Sequence, residues 1–123
     1  MSGIFYLNIR KALKSLPEEF RDRLTGVEIV VEDFADDETL RSMEIDSPWN
    51  LLGLYTGIPM DKKSLFYLSP LPERIYLYRK PIILASRSRD NLYETIRSVL
   101  LHEIGHHFGF DDDELEEMEG RKL

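Results

Sequence analysis

The chain has 123 residues, 42% hydrophobic and 32% charged, which fits one soluble domain spanning 1–123 with a single modest core and excludes two ordinary domains. Its longest apolar runs, such as 4–7 and 82–85, fall far short of the roughly 20 residues that cross a bilayer, and Asn8, Arg10 and Lys11 interrupt any signal-like stretch, so no membrane span and a cytoplasmic location are expected. The net charge of −7 is local: Asp111, Asp112, Asp113, Glu114, Glu116, Glu117 and Glu119 hold the whole excess, and the neutral remainder lacks the positive field on which nucleic-acid binding relies.

In chain order, 4–24 carries Ile4, Leu7, Leu13 and Leu16 at helical spacing, with Pro17 placed to start a second short helix. Gly26 ends that region, and the β-branched run 27–32 reads as a strand. Residues 33–50 are acidic and irregular, with one helical turn near 38–43. The stretch 51–59 is punctuated by Gly53 and Gly57 and is expected as turns or a short strand. Strands are expected at 65–68 and 74–79, separated by Ser69-Pro70-Leu71-Pro72. Pro81 cannot donate to a ladder, so 82–85 is expected as a strand at an edge or after a bend. From 91 to 108 the pattern becomes helical: Asn91 and Glu94 suggest a capping box, and Leu92, Ile96, Val99 and Leu100 form the buried stripe. A last short helix is expected over 113–118, with Asp111, Asp112 and Asp113 as candidate caps.

All three histidines fall in His102-Glu103-Ile104-Gly105-His106-His107. His102 and His106 are one helical turn apart, so both imidazoles project from one side and can share a metal ion. Glu103 lies about 100° around the helix from His102 and about 60° from His106, where a carboxylate reaches a metal-activated water as general base. The same projection puts Glu103 in the middle of the apolar stripe, where an unpaired charge is costly. His107 projects to the stripe's other side, as a packed histidine or a second line behind the ligands. With no cysteine in the chain, a third ligand must come from oxygen or nitrogen. Gly109 can turn the chain back in a left-handed conformation, and Asp112, three residues on, then competes with Asp111 and Asp113 for that place.

The run 102–112 resembles the extended pattern H-E-x-x-H-x-x-G-x-x-D. With the stretches 53–59 and 74–81, it makes the chain similar to the small bacterial minimal-zincin family, metzincin-like zinc metallopeptidases. That resemblance implies Zn2+ held by His102, His106 and Asp112, with Glu103 as catalytic base. It also implies an α+β fold in which a small mixed sheet packs against the active-site helix, with N-terminal helices and a short C-terminal one. A separate metzincin Met-turn is not expected, since only eleven residues follow Asp112.

The expected activity is therefore zinc-dependent hydrolysis of a peptide or protein substrate lying along an edge strand, with 82–85 or 74–79 as candidates. Tyr55, Tyr76 and Tyr78 are candidates for an oxyanion donor. A metal-binding structural or interaction module without turnover is the first alternative. A short zinc endoribonuclease is the second, disfavoured by Glu103, Asp112 and the acidic charge. Oligomeric state is left open.

Overall fold

The computed structural model describes residues 2–57, 72–87 and 91–121; the strand expected at 65–68 and the end of the 51–59 stretch lie outside them. Helices α1 (Ser2–Ser15) and α2 (Glu18–Arg23) precede strand β1 (Glu28–Glu32). Helix α3 (Asp37–Ser42), a 3-10 turn (Pro48–Asn50) and strands β2 (Gly53–Thr56) and β3 (Arg74–Tyr78) follow. Then come α4 (Arg79–Ser86), α5 (Leu92–Ser98) and α6 (Asp112–Glu119). The expected α+β class with a small mixed sheet is what the chain adopts: the strand order is β1-β3-β2, with β1 parallel and β2 antiparallel to the central β3. No helix of the described residues is long and apolar enough to cross a membrane.

Alternation along β3 sorts its side chains to two cores, because successive residues of a strand face opposite ways. Ile75 and Leu77 enter the main core with Phe5, Ile9, Ala12 and Leu16 of α1, Ile96 of α5, and Leu115 and Met118 of α6. Tyr78 joins Ala35, Leu40 and Leu51 in a smaller cluster on the other side, with Tyr76 packed against it. Pro17 sits just before α2, at its N-cap, where its fixed φ suits a helix entry.

Two expectations are corrected. Residues 82–85 are not a strand but part of α4: Pro81 stands in the first turn, where a missing N–H costs nothing, and Ile82 and Ser86, one turn apart, are the buried pair. Asn91 does not cap α5; its side-chain amide donates to the Ser86 carbonyl at 3.1 Å and ties the two helices together. The capping box belongs instead to α6, where Asp111 Oδ1 accepts from the Glu114 N–H at 2.8 Å and Glu114 Oε1 from the Asp111 N–H at 2.9 Å. Asp111→Ala should therefore lower stability by about 1 kcal/mol, read as a shifted denaturant midpoint.

After Ser98 the helical chain continues with altered winding, as a π turn over Val99–Ile104 and a 3-10 turn over Gly105–Phe108. Gly105 lies where this segment presses on α6 and α2. A Cβ there would come within 2.5 Å of Leu115 Cδ2 and 3.3 Å of Phe20 Cε2. Both neighbours are fully buried, so Gly105→Ala should destabilise the fold by about 1–3 kcal/mol through overpacking, measurable by chemical denaturation.

Candidate active site

The winding change sets the site's geometry. A π turn closes its hydrogen bonds five residues apart, so each residue advances less than the usual 100° and later side chains fall behind their α-helical positions. Glu103, projected onto the buried stripe, is consequently exposed, while Val99, Leu100, Leu101 and Ile104 are buried. It opens into a cleft of about 540 Å³ that runs along α5, lined at one end by His102, Glu103, Val99 and Glu119 and at the other by Asn91 and Arg87.

Strand β2 packs beside Glu103. A Cβ on Gly53 would meet Val99 Cγ1 at 2.7 Å and stand 3.8 Å from Glu103 Oε2, so the glycine is there for close approach and not for a turn. Apolar surroundings raise the Glu103 pKa above the ordinary carboxylate value, and the Gly53 backbone N–H acts in the opposite sense. The residue is thus reachable from the cleft while its carboxylate is poorly hydrated, a combination that favours proton exchange.

His102 and His106 are both exposed, and each Nε2 meets a carboxylate. His106 Nε2 lies 2.5 Å from Asp112 Oδ1 and His102 Nε2 lies 3.1 Å from Glu119 Oε2. Gly109 makes the expected reversal, with φ at 91°. Phe108 and Phe110, on its two sides, both pack on Phe20 with ring centroids 5.5 Å away. That anchored turn starts α6 with Asp112 beside His106, while Asp111 is occupied by the cap. Among the described residues no three histidine or carboxylate side chains converge tightly enough to hold a metal ion. The donor types, two imidazoles and a carboxylate, are nonetheless those zinc takes. The set fits zinc in kind and is assembled in part, with His106 and Asp112 together and His102 turned to Glu119.

Glu119 was not singled out from the sequence, and neither was the group behind it. Arg97, only 1% exposed, donates from Nη1 to the Glu119 carbonyl and from Nη2 to the Met118 carbonyl, each at 3.0 Å, and also to the Arg121 carbonyl. Its Nε donates to Ser15 Oγ at 3.0 Å, and Nη1 stands 3.9 Å from Glu119 Oε2. One guanidinium thus fixes the end of α6 and with it the carboxylate facing His102.

The remaining candidates are placed elsewhere. The Tyr55 hydroxyl donates to Glu73 Oε2 at 2.5 Å, and its ring packs against His107 at 5.5 Å between centroids. Tyr78 is buried, with its pKa pushed up to about 12 by that burial and by Glu32, and Tyr76 stacks on it. None of the three tyrosines lines the cleft. Of the two edge-strand candidates, 82–85 is helical and β3 is central, so among the described residues the edge strand beside the site is β2.

Two comparisons with known proteins bear on this geometry. None of the curated proteins matches the chain. Residues 24–121 match a family model described as zincin-like metallopeptidase, a span of well over half the chain that contains the whole of the site.

Proposed function

Because the chain belongs to the zincin-like metallopeptidase family, we propose that it is a zinc-dependent peptidase of the H-E-x-x-H-x-x-G-x-x-D type. In this reading His102, His106 and Asp112 hold the ion and Glu103 is the general base. The observation that carries it is the meeting of His106 Nε2 and Asp112 Oδ1 across the Gly109 turn, while His102 and Glu103 line the cleft along α5. To serve as a ligand His102 would have to turn from Glu119, whose Oε2 its Nε2 meets at 3.1 Å.

Zinc, when bound, supplies an acidified water and polarises the carbonyl it faces. The chain's own residues do the rest. Glu103 takes a proton from the attacking water at its carboxylate and returns it to the departing amine. Gly53 lets β2 approach the base closely enough for a peptide paired with that edge to present its carbonyl there. Val99 and Leu52 line the cleft with apolar surface that limits competing water. Glu94, Glu103 and Glu119 outnumber Arg87 in the cleft lining, a balance that disfavours phosphate and supports a peptide over an RNA substrate.

The test is zinc titration of metal-stripped protein with calorimetric readout, followed by a peptide-library digest. We expect one ion per chain. Asp112→Ala should weaken binding at least as much as the about 10–100-fold that outer-sphere partners cost, and Asp111→Ala should leave it intact. Affinity in the His102→Ala, His106→Ala double variant equal to that of the wild type would refute the ligand set. Zinc binding without cleavage of any peptide would leave a metal-binding module without turnover.

A further inference from the structure

Large apolar side chains are exposed at few places among the described residues, and three of them line one groove. Trp49 is 45% exposed, Ile83 38% and Leu84 61%, and with Arg79 and Lys80 they enclose about 410 Å³. Isolated exposed hydrophobics are ordinary, whereas clustered ones mark contact surfaces. The cluster is also fixed in place. The Trp49 backbone N–H donates to Ser47 Oγ at 3.2 Å, and the indole ring stands edge-on to Phe34 with centroids 4.8 Å apart. Lys80, Ile83 and Leu84 occupy one face of α4 at i, i+3 and i+4, while Pro81, Ile82 and Ser86 are buried on the other.

The groove's charge is opposite to that of the chain. No acid lines it. Arg79 Nε is bonded to Asp33 Oδ1 at 2.8 Å, and Lys80 forms no ion pair among the described residues, which leaves a net positive rim on a protein of net charge −7. We propose that this groove docks an acidic, apolar polypeptide segment of a partner protein. An apolar side chain of the partner inserts between Trp49 and the Ile83–Leu84 face, and flanking carboxylates meet Lys80 and Arg79.

Other occupants fit less well. A symmetric contact between two copies would set Lys80 and Arg79 against themselves. The chain's own acidic helix, α6, buries Leu115 and Met118 and so offers another copy charge without an apolar anchor. A bilayer is flat on this scale, whereas the groove is concave and admits a few side chains. The proposal does not depend on zinc or on turnover.

Trp49 is the chain's one tryptophan, so its fluorescence reads occupancy directly. The probe is a synthetic helical peptide with leucines four apart flanked by glutamates, compared with its lysine-for-glutamate counterpart. We expect a saturable blue shift with the glutamate peptide and a weaker response to the lysine one. Lys80→Glu should weaken binding about fivefold, and Leu84→Ser about tenfold. Leu84 is mostly exposed, so its variant should keep the wild-type circular dichroism spectrum; if it does not, Lys80→Glu decides alone. No saturable shift, an equal response to both peptides, or affinity unchanged in the variants would overturn the proposal. So would a shift that grows with protein concentration alone, which means a second copy. A shift given by phosphatidylglycerol vesicles but not by the peptide would overturn it in favour of a membrane.

Discussion

Arg97→Ala should lower the free energy of unfolding by about 3 kcal/mol or more. In a small domain that corresponds to a fall of roughly 10 °C in Tm. The side chain is fully buried and donates to three carbonyls at the end of α6 and to Ser15 Oγ on α1. Removing it leaves those acceptors short of a donor and opens a cavity, two costs that add. Arg97→Lys restores the charge but not the planar fork, so a single ammonium cannot reach acceptors on two elements and most of the loss should persist. Thermal denaturation of the two variants checks both statements. A loss below about 1 kcal/mol for the alanine variant would mean that water takes over the guanidinium's bonds. The same variants should also free the end of α6, so hydrogen exchange ought to quicken at residues 115–119 before it quickens in β3.

Glu103→Gln should reduce kcat by about 10²–10⁴-fold, the usual worth of a positioned general base, while zinc uptake and Tm hold. The amide keeps the shape of the side chain and cannot accept a proton. Stability should not suffer, because burial disfavours the charged form of the wild-type carboxylate, and the neutral amide carries no such penalty. Turnover that survives the substitution would remove Glu103 from the chemistry. Turnover lost together with zinc or with the fold would assign it a structural task instead.

Much of this protein was legible locally. The helical segment from residue 92 to 108, the strands β1 and β3, the left-handed Gly109 and the acidic final helix all follow from period, β-branching and punctuation within short windows. The resemblance carried by the run 102–112 agrees with the zincin-like family to which the chain belongs. What the sequence could not decide were quantities that contacts set. Projection assumes 100° per residue, whereas Val99–Ile104 is wound as a π turn, and Glu103 opens to the cleft instead of the core. Residues 82–85 satisfied a strand pattern and a helix pattern alike; burial of Ile82 and Ser86 on one face selected the helix. Gly53 read as a turn residue until β2 was laid against Val99. Arg97 reaches Ser15 across 82 residues of chain and His102 reaches Glu119 across 17. No local pattern encodes such pairings, since they exist only once α1, α5 and α6 have packed together and put the groups within bonding distance.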